Sequence, residues 1–246
     1  MRTLSILSIL LISILASCKT EAEPEEGSKY QVMRLEERPE INAVWDKATW
    51  NGIKSLQLTH YMGDEPDHFP LVEAKIAYDN LAIYVIFRVQ DKYVKAVHSE
   101  HQDPVYTDSC VEFFFSPDDN SSEGYFNLEM NCGGTMLFHH QTAPRTDQTH
   151  IAAEDIQQVE VASTLPKIVD PEIQEDTTWF VEYRIPFSVL ASYRDFPVPE
   201  SGTIWRANLY KCADATSHPH WLTWAPIDLP SPNFHQPDFF GVLEYQ

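Results

Sequence analysis

Four acidic and amide side chains sit among apolar residues in segments that are rich in β-branched and aromatic residues. They are Glu112, Asn127, Glu129 and Asn208, in the runs 110–115, 125–130 and 204–210. Side chains alternate between the two faces of a strand, so each polar group is expected on the face opposite its apolar neighbours. Carboxyl and amide groups on one face can bind a polar ligand, and paired carboxyl groups can also perform acid–base chemistry. A solvated outer sheet face would explain the same pattern without a ligand.

Histidine pairs are the second group of residues with chemical potential. The ten histidines include the pairs His98/His101, His139/His140 and His218/His220. None has a carboxylate at a recognised metal-ligand spacing, so solvent-facing histidines are favoured over metal ligands. The run Asp118-Asp119-Asn120 lacks the oxygen spacing of a calcium loop and is typical of a turn. The sequence therefore predicts no metal and no cofactor, and no motif supports a structural calcium ion.

Three cysteines lie in the body of the chain, at Cys110, Cys132 and Cys212. With no C-x-x-C pair, their spacing indicates neither a zinc site nor a disulfide framework. A hairpin centred near Asn120 would bring Cys110 and Cys132 close to opposite each other. A disulfide in an oxidising compartment is one interpretation, and buried free thiols on adjacent strands are the favoured one.

The composition is that of a soluble globular chain. The 246 residues are 43% hydrophobic and 22% charged, which is enough to bury a sizeable core. The net charge of -20 at pH 7 would repel a phosphate backbone, so nucleic acid is not an expected partner. Neither G-x-G-x-x-G nor G-K-S/T occurs, so nucleotide chemistry is not supported.

Ten apolar or alternating runs predict strands. They are Val72–Tyr78, Leu81–Val89, Cys110–Phe115, Tyr125–Met130, Thr135–Phe138, Val159–Ala162, Trp179–Ile185, Ile204–Tyr210, Trp221–Trp224 and Phe239–Tyr245. Asp79-Asn80 indicates a tight hairpin between the first two runs. Only Pro186–Tyr193 predicts a turn or two of helix. The sequence therefore predicts an all-β fold: a single domain over residues 33–246, built as an antiparallel, jelly-roll-like β-sandwich of about ten strands.

The first 32 residues are predicted to lie outside this domain. Arg2 precedes an apolar run, Leu4–Leu15, that is too short to span a bilayer and is typical of a signal peptide. The string LASC, which ends at Cys18, resembles the bacterial lipobox, whose cysteine becomes the lipidated first residue of the mature protein. Residues 1–17 are thus a predicted lipoprotein signal peptide, and the acidic residues 18–32 are a predicted tether.

The acidic tether also resembles the surface-export signal of Bacteroidetes lipoproteins. Lipidation of Cys18 would anchor the protein in the cell envelope, and we expect the outer membrane. Periplasmic and surface display both remain open.

Four strings in order resemble the motifs of family 9 carbohydrate-binding modules. They are INAVWDKATW at 41–50, AYDNLAIYVIFRVQD at 77–91, DSCVEFFF at 108–115 and FHQPDFFGVLEY at 234–245. The corresponding family motifs are I-D-G-x-x-D-x-x-W, D-x-x-L-Y-V, D-S-V-E-x-F and P-x-x-F-G-x-L, and Asn42-Ala43 replaces the usual Asp-Gly of the first. The resemblance implies a β-sandwich that binds sugars, often beside glycan-degrading enzymes. The related DOMON sandwiches hold haem, which supplies a rival interpretation.

The resemblance also implies a set of site residues. In the family, a sugar ring at a chain end lies between two aromatic side chains. The first aromatic position falls on Val105, with Tyr106 beside it, and the second falls on Phe234, followed by His235. The polar sugar contacts of the family correspond to Glu112, Asn127, Glu129 and Asn208. Because several of these positions differ from the family pattern, the resemblance does not identify the sugar.

The aromatic residues of the motifs also fit a hydrophobic core. Trp221 and Trp224 lie in odd register on one predicted strand, so they point to opposite faces, and one of them is expected to line the site. Trp224 is the candidate for that position. Trp50 is expected to be a core anchor, and Phe234 fits core packing beside Phe239 and Phe240 as well as it fits ligand contact.

Taken together, these features predict a non-catalytic, carbohydrate-binding lipoprotein that supports polysaccharide catabolism. Its expected partners are a glycan, the membrane through the lipid anchor, and glycan-degrading enzymes. Two alternatives remain open. Glu112 and Glu129 could be the carboxyl pair of a glycoside hydrolase, or Met130 and Met136 could contribute to a haem site.

Overall fold

A computed structural model describes residues 28–246 of the protein. The predicted all-β fold is confirmed, with fourteen strands rather than about ten in these residues. The strands are β1 Lys29–Arg34, β2 Leu56–Gln57, β3 His60–Tyr61, β4 Leu71–Tyr78, β5 Ala82–Ala96, β6 Cys110–Ser116, β7 Tyr125–Asn131, β8 Met136–Gln141, β9 Thr149–His150, β10 Glu160–Ser163, β11 Val169–Pro186, β12 Ile204–Cys212, β13 Trp221–Thr223 and β14 Gly241–Tyr245. Two short helices, α1 Ala153–Ile156 and α2 Phe187–Ala191, and 3₁₀ turns at Val105–Thr107 and Pro237–Phe239 complete the elements. Helix α2 lies in the segment predicted to be helical.

Two sheets share one hydrophobic core. The cleft sheet has the order β14-β12-β6-β7-β8-β9, with β13 paired to β12 and β3 paired to β13. The back sheet has the order β10-β11-β5-β4, with β2 paired to β4. Strand β1 joins the two sheets, since its first half runs parallel to β14 and its second half runs parallel to β4. The other strand pairs are antiparallel, as the sandwich prediction requires.

Strand β1 corrects the predicted boundary of the tether. Residues 29–32 pair with β14, and the side chains of Tyr30 and Val32 are buried. The folded domain therefore begins before Met33, and the predicted tether of residues 18–32 is too long. The predicted signal peptide, Cys18 and the tether up to residue 27 lie outside the described residues. Across residues 28–246, no helix is long and apolar enough to cross a bilayer.

Strict alternation along β6, β7 and β12 divides their side chains between the core and the outer face of the cleft sheet. The core side receives Val111, Phe113, Phe115, Phe126, Leu128, Met130, Trp205, Ala207 and Leu209. The outer side receives Cys110, Glu112, Phe114, Tyr125, Asn127, Glu129, Asn208, Tyr210 and Cys212. Because successive residues of a strand point to opposite faces, the apolar set anchors the sheet and the mixed set stays available for a site.

The first sequence motif forms a structural cluster on the outer face of the back sheet. Trp50 is fully buried, and its indole Nε1 donates a hydrogen bond of 3.0 Å to Oε1 of Glu182. Lys47 Nζ lies 2.5 Å from the same carboxylate. This buried acid is thereby paired and hydrogen-bonded, as a buried charge must be. The prediction that Trp50 is a core anchor is confirmed.

Candidate functional site

A cleft of about 510 Å³ lies on the outer face of the cleft sheet, within the size range of small-ligand sites. Its strand-borne lining is Glu112, Phe114, Asn127, Glu129, Leu137, His139 and Cys212. Its remaining lining comes from connecting segments and β13: Tyr106, Arg145, Gln148, Asp214, Trp221 and residues 232–235. Strands thus supply a rigid floor, and most of the surrounding residues lie in connecting segments, which vary more freely in sequence.

Two carboxyl groups face each other at the floor. Glu112 on β6 and Glu129 on β7 are direct partners in the strand register, and both residues are buried. The thiol of Cys212 donates to Oε1 of Glu112 over 3.0 Å. Oε1 of Glu129 accepts a hydrogen bond of 3.0 Å from Nδ2 of Asn127, whereas its Oε2 is buried without a partner.

Burial changes the protonation of this pair. It raises the pKa of Glu129 to about 8, against the opposing effect of the hydrogen bond from Asn127. Burial also raises the pKa of Glu112 well above its ordinary value, and the neighbouring Cys212 and Glu129 raise it further. Two like charges cannot both persist in a site with little water. At neutral pH the floor therefore holds carboxylic acid protons, which can be donated in hydrogen bonds.

An amide network fixes the orientation of the floor. Gln141 Nε2 donates to Oδ1 of Asn127 over 2.7 Å, so both ends of the Asn127 amide are engaged. Oε1 of Gln141 in turn accepts a hydrogen bond of 2.8 Å from the backbone N–H of Arg145. Asn127 is therefore rigid, and Gln141 ties the floor to the loop that carries Arg145.

Two histidines at the cleft are neutral at physiological pH. His139 lies opposite Asn127 in the register of β7 and β8. Burial, with a contribution from His150, lowers the pKa of His139 to about 4. Burial, followed by the charges of Arg145 and His139, lowers the pKa of His235 to about 4. The Nδ1 of His235 lies 2.7 Å from the hydroxyl of Tyr125, whereas the Nε2 of His139 is buried without a partner.

Aromatic rings border the polar floor. Phe234 lines the cleft and stacks on Tyr210, with ring centroids 4.1 Å apart and planes 9° apart. Its carbonyl oxygen accepts a hydrogen bond from the Tyr210 hydroxyl, so Phe234 combines core packing with a position at the cleft. Trp221, held by an indole hydrogen bond of 2.8 Å to Asp214, and the exposed Tyr106 also line the cleft.

Two of the predicted site residues do not line the cleft. Trp224 packs in the core between the sheets, so the member of the tryptophan pair that reaches the cleft is Trp221. Asn208 is on the correct face but is fully buried, with hydrogen bonds to the backbone of Ala225 through both its Nδ2 and its Oδ1. The chain at Ala225 covers this amide, which corrects its assignment to the site.

The other predicted positions meet at the cleft: Tyr106, Glu112, Asn127, Glu129, Phe234 and His235. Sequence reasoning did not select Leu137, His139, Arg145, Gln148, Cys212 or Asp214. Counting residues outward from the turn between β7 and β8 would have placed His139 beside Asn127, because the two residues are partners in these adjacent strands. Arg145 and Gln148 lie in a connecting segment, and no periodicity marks them.

The favoured interpretation of the cysteines as buried free thiols is confirmed, but Cys110 and Cys132 do not face each other. Cys110 lies on the cleft side, whereas Cys132 lies in the core between the sheets, so the two side chains point to opposite faces. All three of Cys110, Cys132 and Cys212 are buried free thiols. The direct strand partner of Cys110 is Cys212, about one hundred residues away in sequence.

The chain is similar in sequence and fold to proteins of known structure. A Bacteroides uniformis protein proposed to bind carbohydrate is 30% identical, and its structure superposes with a TM-score of 0.80 over 89% of this chain and 100% of that one. A family 9 module from Caldicellulosiruptor kristjanssonii, solved with cellotriose, is 18% identical and has a TM-score of 0.61 over 89% of this chain and 93% of the module. A structure of a family 9 module from the same organism with glucose bound is 17% identical to this chain and has a TM-score of 0.59.

No curated protein matches the chain. The sequence profile described as carbohydrate-binding family 9 matches residues 41–245, a span that holds the whole cleft. On this match, and on the likeness to the Bacteroides uniformis protein, the chain belongs to carbohydrate-binding family 9.

Proposed function

We propose that the protein binds carbohydrate in the cleft of the cleft sheet. The observation that carries the proposal is a pair of buried polar atoms without partners in the described structure, Oε2 of Glu129 and Nε2 of His139. A buried polar atom is normally hydrogen-bonded, and leaving it unpaired costs on the order of 1–3 kcal/mol. Both residues line the cleft, where a ligand with several hydroxyl groups would supply the missing partners.

The aromatic rings that border the cleft suit the apolar faces of a sugar ring. A pyranose presents apolar C–H faces as well as an equatorial rim of hydroxyls, and aromatic rings bind such faces. Trp221, Phe234 and Tyr106 provide rings beside the polar floor. Family membership supports this assignment. So do the bound sugars of the Caldicellulosiruptor module. We assign the cleft to the end of a glycan, held without turnover.

The test is a glycan array on the purified protein, followed by calorimetric titration with the best ligand. Glu129→Ala and His139→Ala should each weaken binding by roughly ten- to a hundredfold, because each removes a hydrogen bond to the sugar worth on the order of 1–3 kcal/mol. Glu175→Ala is the matched control, since Glu175 is exposed on β11 of the back sheet. Binding that is equal in all three variants would refute the proposed site.

We further propose that Cys18 carries a lipid anchor and that the protein serves polysaccharide catabolism in the cell envelope, at the outer membrane, together with glycan-degrading enzymes. The support is the LASC string after a short apolar run. Cys18→Ala should release the protein from the membrane fraction, because a lipid chain contributes binding in proportion to its buried methylene groups. Equal membrane recovery of the variant would contradict the anchor.

A further inference from the structure

Two cysteines and a glutamate converge at the floor of the cleft. Cys110 and Cys212 are direct partners on the antiparallel strands β6 and β12, and Glu112 follows Cys110 on the same face of β6. Their Sγ and carboxylate oxygen atoms all lie within 4.8 Å of one another, and all three residues are buried. Sγ of Cys212 lies 3.0 Å from Oε1 of Glu112.

We propose that Cys110, Glu112 and Cys212 form a binding site for a thiophilic divalent cation, with Zn²⁺ as the expected ion. Two thiolates and a carboxylate are ligands of the type that zinc prefers, with bonds of about 2.3 Å to sulfur and 2.0–2.2 Å to oxygen. Tetrahedral angles at these lengths separate the ligand atoms by about 3.6–3.8 Å. The 3.0 Å between Sγ of Cys212 and Oε1 of Glu112 is shorter than this, so ion binding would move the Glu112 carboxylate about 0.6 Å away from Cys212.

The site is reachable from solvent on one side only. Glu112 and Cys212 line the cleft, whereas Cys110 lies beneath it and is fully buried. A cation would therefore enter through the cleft and keep its fourth position on that side. Three protein ligands plus one open position is the arrangement of a zinc ion that can also bind a water molecule or a ligand oxygen.

Neighbouring charges fit this assignment. Lys211 points to the core side of β12 and is fully buried; its Nζ donates to the backbone carbonyl of Cys212 over 3.0 Å and lies 3.5 Å from the Asp91 carboxylate. Two thiolates and one carboxylate exceed the charge of a divalent cation by one, and this ammonium group, which Asp91 already pairs, offsets only part of that excess. On the cleft side, Glu129 faces Glu112 in register with a free Oε2, which can accept a hydrogen bond from a water molecule in the fourth position.

The experiment uses the full chain, purified in detergent, reduced, and stripped of metal with a chelator. Co²⁺ is titrated in as the probe while absorption is recorded, and Zn²⁺ is then added in competition. We expect one equivalent of Co²⁺ to produce a sulfur-to-metal charge-transfer band that Zn²⁺ abolishes. Absence of the band from the unaltered protein would overturn the proposal, as would isolation of the protein with Cys110 and Cys212 joined in a disulfide.

Variants locate the site. Cys110→Ser and Cys212→Ser should each weaken the metal affinity by more than the roughly 10–100-fold that loss of an outer-shell partner costs, and Glu112→Gln should weaken it as well. Cys132→Ser is the matched control, because Cys132 is a buried thiol on the opposite face of the sheet. A band that survives both Cys110→Ser and Cys212→Ser would overturn the assignment. Glycan binding by the metal-free protein tests the proposed function separately.

Discussion

Replacing Phe234 with alanine separates the role of this ring in the core from its role at the cleft. The ring is 8% exposed and stacks on Tyr210, so its removal should destabilise the fold. The loss of unfolding free energy should lie near the lower end of the roughly 3–5 kcal/mol seen for Phe→Ala, because the vacated space opens to the cleft and fills with water. Loss of the contact with the sugar should cost a further 1–3 kcal/mol of binding free energy, or roughly ten- to a hundredfold in affinity.

The assay pairs chemical unfolding with calorimetric titration, at a temperature where each variant is folded. Phe239→Ala is the matched control, because Phe239 packs against the same apolar cluster but does not line the cleft. It should lose stability and keep its affinity for the glycan. The reasoning fails if folded Phe234→Ala binds the glycan normally, or if both variants lose the same affinity.

Three further predictions follow from the packing and the charges. Trp221→Ala should weaken glycan binding with little loss of stability, whereas Trp224→Ala should cost about 3–5 kcal/mol of stability; titration and thermal unfolding distinguish them, and the opposite pattern would contradict the placement of the two rings. Gly241→Ala should lower the melting temperature, because a Cβ there would lie 2.6 Å from the Ser28 carbonyl oxygen and 2.8 Å from the Trp224 ring; an unchanged melting temperature would contradict that contact. The contribution of His139 to the free energy of unfolding should fall by up to about 3 kcal/mol as the pH drops from 7 towards 4, because the pKa of His139 is about 4 in the fold and about 6.5 when unfolded, so protonation favours the unfolded chain. The raised pKa of Glu129 acts in the opposite sense, so the contribution of His139 is the difference between the pH dependence of the unaltered protein and that of His139→Gln in urea titrations; an equal dependence in the two would contradict the assignment.

Alternation made the faces of β6 and β7 predictable. In both strands every second residue is a large apolar side chain that must be buried, so Glu112, Asn127 and Glu129 had to share the other face. The motifs at 108–115 and 234–245 added the positions of Phe234 and His235. Local patterns thus sufficed for the central part of the cleft floor and for one aromatic side of the cleft.

Contacts distant in sequence account for most of what could not be predicted. Residues 169–178, VDPEIQEDTT, are too polar to indicate a strand, yet they extend β11 because β5 offers an edge for pairing. Residues 29–32 were predicted to belong to a tether, but they form a strand because β14, at the other end of the chain, pairs with them. In the same way, nothing local to Cys110 indicates Cys212, and nothing local to Asn208 shows that Ala225 covers its amide.

The most direct test of the central claim is a crystal structure of the protein with the best ligand from the glycan array. The account predicts a sugar ring in the cleft against Trp221 or Phe234, with hydroxyl groups within hydrogen-bonding distance of Oε2 of Glu129 and Nε2 of His139. A sugar bound elsewhere on the sandwich, with those two atoms still unpartnered, would contradict it.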